Sequence, residues 1–563
     1  MKRFSKAAVL GSGVMGSAIA AHLANAGLEV LLLDIVPKEL TEEEKKKGLT
    51  LNDKEVRNRI AKKGLDSALT SRYPSFYIPE FSKYIEIGNF EDDIQKIKDC
   101  DWVIEVIIER MDIKKNFYKE KVVNNVGKDA IVSSNTSGLS INEMAKVFPE
   151  ELKKRFLITH FFNPPRYMKL VELVPNENTS EEVMSIMADF ITNRLGKGVV
   201  FAKDTPNFIA NRIGVYGMCN AIKHMMELDM TVEEVDAVGG EATGKPKSAV
   251  FRTADLVGID TFVNVANNSY EYLVNDEERE IFKIPKFVND MVEKGLLGNK
   301  TRKGFYKKEG GETCYYDYKT GEYVPRKKPK FQSVESTKMA TNVKDKIKAV
   351  FSSKDKAAIF AWRNMRDTLL YTFKRIPEIA DDIVNVDKAL KWGFNWDFGP
   401  FEGLDLLGVE KFVERCEKDG IQVPEKLKKI KKFYEFRDGK KYYYDLKTDS
   451  YKEVPIRPRE ISLELLKKAG NIVDENKGAS LIDLGDGVFC VEFHSIMNAI
   501  GPDTIMMIKK GIKKAEEEGQ GLVLANQGKN FSAGANLMLM LSTITEGAFE
   551  DIDMAVREFQ NTS

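Results

Sequence analysis

The chain has 563 residues, too many for one hydrophobic core, and roughly 100 to 200 residues per domain predict about three to five domains. Its 86 lysines and arginines equal its 86 aspartates and glutamates in number, so net charge attracts it neither to nucleic acid nor to an anionic membrane. The five cysteines are scattered without a C-x-x-C pair, and no apolar run reaches the length of a signal peptide or a membrane span. We therefore expect a cytoplasmic protein without disulfides or a metal site.

The first predicted elements are a strand, a glycine turn, a helix and a second strand in KAAVLGSGVMGSAIAAHLANAGLEVLLLD, residues 6–34. Gly11, Gly13 and Gly16 have G-x-G-x-x-G spacing, which allows a tight turn, close approach of the backbone to a pyrophosphate, and close packing of the helix. Asp34 ends the second strand, where a carboxylate binds ribose hydroxyls and repels the 2′-phosphate of NADP. The stretch predicts a Rossmann-type domain with NAD as its cofactor, and a flavin is the alternative.

Residues 38–80 are rich in charge and predict a helical excursion outside the sheet. We expect a solvated face there, although its lysines are an alternative contact for an anionic substrate. Parallel strands resume with DWVIEVIIE (101–109) and AIVSSNT (130–136).

Two further strands bring a histidine and a glutamate together. THFFNP (159–164) ends one strand and KLVELV (169–174) starts the next after a short turn, so His160 and Glu172 can face each other. Oxidation of a secondary alcohol needs a base for the hydroxyl proton, and a neutral imidazole suits that task. A carboxylate behind the ring fixes its tautomer and stabilises the imidazolium that forms. These strands therefore predict His160 as the general base and Glu172 as the residue that orients it.

Three motifs in this part of the chain occur in the order typical of one enzyme family. NTSGLS (135–140), HFFNPP with KLVELV (160–174) and DTPNFIANR (204–212) resemble the 3-hydroxyacyl-CoA dehydrogenase family, and the resemblance covers residues 1 to about 330. It implies oxidation of an (S)-3-hydroxyacyl-CoA thioester with NAD, with Ser137 and Asn211 hydrogen-bonding the substrate. The further cofactor contacts that it implies are Val14, Met15, Glu109, Lys114 and Asn135.

DTPNFIANR also predicts the start of a long helix. The Thr205 side chain suits an N-cap, and Pro206 suits the first helical position. Asn211 would then lie about a turn and a half into the helix.

An internal repeat follows. VDAVGGEATGKPKSAVFRTADLVG (235–258) is similar to VDKALKWGFNWDFGPFEGLDLLG (386–408), and FYKKEGGETCYYDYKT (305–320) is similar to FYEFRDGKKYYYDLKT (433–448). Duplication explains both pairs. Each copy resembles the helical domain that this family places after its nucleotide-binding domain. Because the second copy lacks the DTPNFIANR motif, we expect it to complete a helical wall and not to form a second site.

The last hundred residues predict a different fold. SLIDLGDGVFCVEF (480–493) predicts a hairpin, residues 503–519 a helix and GLVLAN (521–526) a buried strand. With the loop NQGKNFSAGANL they resemble the N-terminal part of the enoyl-CoA hydratase (crotonase) family, which implies that the backbone N–H of Ala535 contributes to an oxyanion hole. The acid and base glutamates of that family have no match. We therefore expect a truncated, inactive hydratase segment with exposed apolar surface.

Together these patterns predict an α/β protein. The expected domains are a Rossmann-type NAD-binding domain at 1–200, helical dehydrogenase C-terminal domains at 201–326 and 351–456 with a linker at 327–350, and an incomplete crotonase-like segment at 457–563. We expect the dehydrogenase part of a bifunctional hydratase and dehydrogenase that acts on acyl-CoA thioesters, with homo-oligomer formation left open. The alternatives are a dehydrogenase for a free β-hydroxyacid and a non-catalytic NAD-binding protein. The other histidines, His22, His224 and His494, have no partner pattern, and we expect structural roles for them.

Overall fold

A computed structural model of the chain describes residues 4–71, 73–340, 342–457, 460–528 and 530–563. Contacts divide the chain into two compact units. The first unit extends to Phe433 and includes Leu446–Thr448, and the second contains Tyr434–Asp445 and Asp449–Ser563. The aromatic hairpin of the second repeat therefore groups mainly with the C-terminal segment.

The first unit begins with an eight-stranded sheet and its helices. The strands are β1 (Lys6–Leu10), β2 (Glu29–Asp34), β3 (Ile85–Asn89), β4 (Trp102–Glu105), β5 (Ile131–Ser134), β6 (Phe156–Phe161), β7 (Leu170–Pro175) and β8 (Gly198–Phe201). The helices are α1 (Val14–Asn25), α2 (Glu42–Lys46), α3 (Lys54–Arg57), α4 (Arg59–Thr70), α5 (Met111–Phe117), α6 (Ile141–Ala145), α7 (Glu150–Lys153) and α8 (Glu181–Asn193). The strand order is β3-β2-β1-β4-β5-β6-β7-β8, with β7 antiparallel to β6 and β8 parallel to β7. The predicted Rossmann-type sheet and the predicted helical excursion, α2 to α4, are both confirmed.

The strands of this sheet are apolar because helices cover both of its faces. Residues 7–10 of β1 and 30–33 of β2 are all buried. Trp102 of β4 lies at the centre of the core, where its ring contacts Phe4, Phe161 and Phe190. The packed core holds the carboxyl ends of β1, β4, β5 and β6 at one edge, which is where ligands bind in open α/β sheets.

The rest of the first unit is helical, apart from one small sheet. Its elements are α9 (Ala210–Glu227), α10 (Val232–Val238), α11 (Phe251–Val257), α12 (Ile259–Tyr272), α13 (Lys286–Glu293), β9 (Tyr306–Glu309), β10 (Glu312–Asp317), β11 (Glu322–Pro325), α14 (Gln332–Glu335), α15 (Val343–Ser352), α16 (Lys356–Lys374), α17 (Ile383–Gly393), α18 (Pro400–Leu407), α19 (Val409–Lys418) and α20 (Glu425–Lys429). The long helices α9 and α16 pack on each other, and the Tyr216 and Tyr371 rings stack at 3.8 Å between them. The predicted linker contains α14 and most of α15.

Equivalent aspartates make the same hydrogen bonds inside each of the two helical copies. Asp236 accepts hydrogen bonds from the backbone N–H groups of Val250 and Phe251, and Asp387 accepts them from Phe401 and Glu402. A second equivalent pair of aspartates binds the repeated Phe-Tyr dipeptide. Asp255 accepts a hydrogen bond from Phe305 N at 2.7 Å, and Asp405 accepts one from Phe433 N at 2.7 Å. The shared carboxylate contacts support the duplication.

Asp255 makes the stability of the first helical copy dependent on pH. Burial raises the pKa of Asp255 to about 7, above the value of about 4 for a carboxyl group in an unfolded chain. The folded state therefore binds this proton more tightly, so its contribution to stability is complete below pH ~4 and is lost as pH rises through ~7. We expect Asp255→Asn to reduce the fall in the free energy of unfolding between pH 5 and 8, by roughly 1 kcal/mol per pH unit at most. Thermal unfolding at several pH values would measure this dependence, with Glu293→Gln at an exposed position as the control. Parallel stability-against-pH profiles for wild type and Asp255→Asn would contradict the raised pKa of Asp255.

The described residues of the second unit form two small sheets and four α-helices. Its elements are β12 (Tyr434–Arg437), β13 (Lys440–Asp445), β14 (Ser450–Glu453), α21 (Leu463–Lys468), β15 (Ile472–Glu475), β16 (Ala479–Gly485), β17 (Val488–Phe493), α22 (Pro502–Glu518), β18 (Gly521–Ala525), α23 (Leu537–Thr545) and α24 (Phe549–Thr562). The order of the larger sheet is β15-β16-β17-β18, and α22 packs on it over a core that includes Leu481, Val491 and Met507. The hairpin and the helix predicted here are confirmed.

The strand predicted at 521–526 is confirmed as β18, but its predicted burial is wrong. Val523 and Leu524 of β18 are each 42% exposed. The strand lies at the edge of its sheet, and α22 covers only part of it. Helices α23 and α24 contain no buried residue, and their exposed apolar side chains include Leu537, Met538 and Phe549.

Candidate active site

The glycine turn after β1 has the three properties that its spacing predicts. Gly11 has φ +111°, and a Cβ there would lie 2.5 Å from the Val106 carbonyl oxygen. A Cβ on Gly16 would overlap the Gly11 carbonyl, so the helix packs directly on the turn. A Cβ on Gly13 would meet nothing within 4 Å, which leaves open space above the turn.

The start of α1 is suited to an anion. Its N-cap residue, Gly13, has no side chain to cap the helix, and the first helical hydrogen bond runs from Ser17 N to the Gly13 carbonyl at 3.0 Å. Within the described residues, the backbone N–H groups of Val14 and Met15 therefore have no partner. Unpaired N–H groups and the partial positive charge of a helix N-terminus attract phosphate, so this turn fits a pyrophosphate.

Asp34 is held at the edge of this space. Its carboxylate accepts hydrogen bonds from Ser12 N at 2.6 Å and Ser12 Oγ at 2.5 Å, and from Ile35 N at 2.7 Å. Helix α4 packs on the same turn so closely that a Cβ on Gly64 would overlap the Ser12 carbonyl. The excursion thus supports the glycine turn, and neither Ser12 nor Gly64 was predicted to take part.

His160 and Glu172 form a buried pair. They are directly opposite in the β6 and β7 register, as predicted, and His160 Nδ1 lies 2.7 Å from Glu172 Oε2. The Glu172 side chain is fully buried, and the His160 side chain is 5% exposed. Within the described residues His160 Nε2 has no hydrogen-bond partner. With its Nδ1 proton donated to the carboxylate, a neutral ring presents the Nε2 lone pair, which is the arrangement of a general base.

The helix that follows begins later than predicted. Asn207 and Phe208 have φ +63° and +50°, so residues 205–209 form a turn and α9 starts at Ala210. Thr205 does not cap this helix. The Glu172 carboxylate does, since its Oε1 accepts hydrogen bonds from Ala210 N at 2.9 Å and Ile209 N at 3.2 Å. Asn211 therefore lies in the first turn of α9.

The loop after β5 is fixed to the same region. Asn135 Oδ1 accepts a hydrogen bond from Phe161 N at 2.9 Å, which joins the loop to the end of β6. Gly138 lies against Asn207, where a Cβ would be 2.6 Å from Asn207 Oδ1. Asp204 accepts hydrogen bonds from Ser140 Oγ at 2.7 Å and Ile141 N at 3.0 Å, a clamp that was not predicted.

Ser137 and Asn211 are polar and available for a ligand. Ser137 N donates to Glu109 Oε1 at 2.8 Å, but within the described part of the chain neither the Ser137 hydroxyl nor the Asn211 amide has a hydrogen-bond partner. Both residues are partly exposed. The Asp204 and Gly138 contacts join the loop that carries Ser137 to residues 204–207. These residues lead directly into the first turn of α9, which carries Asn211 and contacts the Glu172 carboxylate.

Glu109 and Lys114 belong to a network whose centre is Glu105, a residue that was not predicted. Lys114 Nζ lies 2.5 Å from Glu105 Oε1 and 3.5 Å from Glu109 Oε2. Tyr118 OH and Ser134 Oγ donate to Glu105 Oε2 at 2.7 and 2.6 Å. Burial and the Glu105 charge raise the pKa of the Tyr118 phenol, so it stays a neutral donor. The Lys114 amine is thus buried among protein partners, and its contact with a cofactor stays a prediction.

The other predicted residues lie in separate environments. His22 Nε2 lies 3.2 Å from the Leu195 carbonyl oxygen, and burial lowers the pKa of His22 to about 3. His224 lies between Asp367 and Glu227, at 2.6 and 3.0 Å, and His494 Nε2 is 2.9 Å from Ser480 Oγ.

In the second unit, Ala535 is exposed and pairs with Ile500 in a parallel bridge. Ile500 N donates a hydrogen bond to the Gly534 carbonyl, and Asn536 N donates one to the Ile500 carbonyl. In the part of the chain that the structure describes, the Ala535 N–H has no partner.

No helix among the described residues is both long enough and apolar enough to cross a membrane.

Comparisons with known proteins agree with this geometry. The family model described as 3-hydroxyacyl-CoA dehydrogenase, NAD binding domain, matches residues 6–205, and the model described as 3-hydroxyacyl-CoA dehydrogenase, C-terminal domain, matches residues 208–308. A probable 3-hydroxyacyl-CoA dehydrogenase of Bacillus subtilis is 46% identical over 566 aligned residues, which cover 100% of this chain and 71% of the relative. A putative fatty acid oxidation complex trifunctional enzyme of Rickettsia felis is 31% identical over 561 residues, covering 99% of this chain and 72% of the relative.

The fold is also similar to a solved structure. The crystal structure of 3-hydroxybutyryl-CoA dehydrogenase from Escherichia coli has a TM-score of 0.55 and 21% identity, and the match covers 76% of this chain and 98% of that one. At this identity the likeness shows a shared fold. Because the Bacillus relative is similar along the whole chain and the family models cover the sheet and the first helical copy, the relationship is one of descent. The chain belongs to the 3-hydroxyacyl-CoA dehydrogenase family, as an NAD-dependent oxidoreductase whose eight-stranded sheet is the NAD binding domain.

Proposed function

We propose that this chain oxidises (S)-3-hydroxyacyl-CoA to 3-oxoacyl-CoA, with His160 as the general base. The observation that carries the proposal is the buried His160–Glu172 pair, with its 2.7 Å contact at Nδ1 and an unpaired Nε2. Loss of hydride from C3 makes the hydroxyl group strongly acidic, so a base must take its proton as the carbonyl forms. His160 Nε2 takes that proton.

Glu172 keeps His160 in the reactive tautomer and stabilises the imidazolium. One oxygen of its carboxylate accepts a hydrogen bond from the Nδ1–H group of His160, and the other accepts hydrogen bonds from two backbone N–H groups at the start of α9. Three donors, together with the N-terminus of α9, hold the carboxylate in one position behind the ring. The pair is therefore set up to move a proton at Nε2 without rotation of the ring.

Ser137 and Asn211 orient the substrate. Their hydrogen-bonding groups have no partner within the described residues, and both lie on segments fixed beside Glu172. A hydroxyl and an amide suit the C3 oxygen and the thioester carbonyl, which are both hydrogen-bond acceptors. Asn135 accepts a hydrogen bond from the end of β6, and Glu109 accepts one from Ser137 N. Both residues therefore help to hold the loop that carries Ser137.

The cofactor is held by the glycine turn and by Asp34. Gly11, Gly13 and Gly16 shape the turn, the N–H groups of Val14 and Met15 bind the pyrophosphate, and Asp34 binds the ribose of the adenosine half. Glu109 lies in the loop after β4 and Lys114 in α5, and we assign both to the side of the nicotinamide half. When bound, NAD accepts the hydride from C3.

Asp34 sets the preference for NAD over NADP. A hydrogen bond to a charged group contributes roughly 1.5 to 3 kcal/mol, so we expect Asp34→Asn to weaken NADH binding by about 10- to 100-fold. NADPH binding should weaken less or improve, because the repulsion of its 2′-phosphate is lost. Fluorescence titrations with NADH and NADPH would measure both affinities, with Glu29→Gln at the exposed start of β2 as the matched control. Unchanged NADH affinity in Asp34→Asn would contradict the assignment.

Descent of the second unit from a hydratase of 2-enoyl-CoA has one favourable observation. The Ala535 N–H is exposed and has no partner among the described residues, as an oxyanion-hole donor requires. The trifunctional relative, which is similar over 99% of this chain, supports a role beside the dehydrogenase. We propose that the second unit is derived from a hydratase and contributes the Ala535 donor.

Three substrates offered in parallel test the proposal. The purified chain with NAD is given (S)-3-hydroxybutyryl-CoA, free (S)-3-hydroxybutyrate or crotonyl-CoA, and NADH is followed by absorbance. NADH from the hydroxyacyl thioester only is the expected result. A faster rate with the free acid would favour a free β-hydroxyacid as substrate, and NADH from crotonyl-CoA would show that hydration also occurs. NADH binding without turnover of any of the three would favour a non-catalytic protein.

A further inference from the structure

The second helical copy reaches the NAD-binding sheet close to the His160–Glu172 pair. Trp392, Gly393 and Phe394, at the C-terminal end of α17, are called the WGF segment below. Helix α17 packs on β8, and two hydrogen bonds fix this contact. Phe201 N donates to Asn385 Oδ1 at 2.9 Å, and Lys203 N donates to the Ile379 carbonyl at 3.0 Å.

The WGF segment contacts the first copy and the sheet at positions without room for a further atom. The Trp392 ring covers Gly198, the first residue of β8, and the Phe394 ring covers Gly214 of α9, where a Cβ on either glycine would overlap the ring. Gly393 itself lies in a tight space. A Cβ there would be 2.7 Å from Leu170 Cδ2, 3.3 Å from Ala210 Cβ and 3.4 Å from Phe162 Cε1.

Two of these three neighbours of Gly393 contact the catalytic pair. The centroid of the Phe162 ring lies 4.6 Å from that of the His160 imidazole. Ala210 N donates to Glu172 Oε1 at 2.9 Å. The second copy also holds the first turn of α9 by another route, because Arg212 Nε donates to Tyr371 OH at 2.5 Å.

We propose that Gly393 is a positioning residue for the oxidation. Its close approach fixes the Phe162 ring and the first turn of α9, and through them the plane of the His160 imidazole and the place of the Glu172 carboxylate. Interiors are close-packed, so an added methyl group displaces its neighbours. This inference rests on the proposed oxidation of 3-hydroxyacyl-CoA. It assigns the second copy, which lacks the DTPNFIANR motif, a part in the site of the first.

The test is Gly393→Ala in the full chain, with (S)-3-hydroxybutyryl-CoA and NAD. Gly393 is the last residue of a helix, where alanine is favoured over glycine, so an effect comes from the contact and not from the backbone. We expect kcat to fall roughly 10- to 100-fold, as a displacement of about 1 Å at the reacting groups does. The KM for NAD and the Kd for NADH should stay within about twofold of wild type.

Gly217→Ala is the matched control. Gly217 lies in α9 at the contact with α16, and its Cβ would meet only Thr368, at 3.4 Å from Oγ1 and 3.7 Å from Cγ2. This variant adds the same methyl group to the same interface between the copies. It should keep the wild-type kcat.

A rescue experiment separates positioning from a loss of stability. Leu170→Ala removes the atom nearest to the new methyl group, so Gly393→Ala/Leu170→Ala should recover kcat to within a few fold of Leu170→Ala alone. The unfolding midpoints of the single and double variants are measured alongside, and a purely structural role predicts that kcat only follows the folded fraction of each variant. Should Gly393→Ala fail to fold, Phe162→Leu tests the same contact from the other side, and its kcat should fall at least several fold.

The outcomes distinguish this inference from the function on which it rests. An inactive wild-type chain would contradict the proposed oxidation itself. An active wild type with unchanged kcat in Gly393→Ala, or in Phe162→Leu where that variant is used, would overturn the positioning role alone. The same conclusion would follow if kcat were lost but not recovered in the double variant.

Discussion

Replacing His160 with alanine should abolish almost all NADH formation from (S)-3-hydroxybutyryl-CoA. A positioned general base contributes typically 10²- to 10⁴-fold to the rate, so we expect kcat to fall by about 10³. The Kd for NADH should change little, because the principal cofactor contacts assigned here lie on the glycine turn, at the end of β2, and in the loop and helix that follow β4. Steady-state kinetics with NADH titrations would measure both quantities.

His494→Ala is the matched control for this experiment. It removes the same side chain from the second unit, where His494 contacts Ser480. Its dehydrogenase kcat should equal that of wild type. A His160→Ala chain with more than about a tenth of the wild-type kcat would show that another group takes the proton.

Glu172→Gln should have the second-largest effect. The substitution keeps the shape of the side chain but removes the charge that stabilises the imidazolium, and the amide can present an N–H to His160 Nδ1 and so favour the wrong tautomer. We expect kcat to fall by roughly 10² to 10⁴, the range of general acid and base catalysis, with the KM for NAD close to wild type. Initial rates over a range of both substrates would measure this.

Glu172→Ala separates the catalytic and structural parts of this role. It leaves the Ala210 and Ile209 N–H groups and His160 Nδ1 without their acceptor in a buried site. Unsatisfied buried groups cost about 1 to 3 kcal/mol each, so this variant should lose thermal stability as well as activity. Glu172→Gln should keep most of its stability. Equal activity in wild type and Glu172→Gln would contradict an orienting carboxylate.

The catalytic pair could be predicted because it depends on local rules. A short connection between two strands sets their antiparallel register, and the alternation of side chains then places His160 opposite Glu172. The glycine turn could be predicted for a similar reason, since the positive φ of Gly11 and the packing of Gly16 on the Gly11 carbonyl arise within one strand–turn–helix unit. Here the sequence pattern and the structure describe the same geometry.

Contacts between distant segments could not be predicted from these rules. The start of α9 was misplaced because its cap is Glu172, 38 residues earlier in the chain, and not the adjacent Thr205. Glu105 and Asp204 were missed for a similar reason, as their donors come from several separate elements. The apolar sequence of β18 indicated burial, but its position at a sheet edge is set by the tertiary fold.

The most direct test of the central claim follows the hydrogen at C3. The purified chain is given NAD and (S)-3-hydroxybutyryl-CoA that carries deuterium at C3, and the isolated NADH is analysed by mass spectrometry. The account predicts one deuterium in each NADH formed and 3-oxobutyryl-CoA as the other product. NADH without deuterium, or no NADH from a chain that binds the cofactor normally, would contradict it.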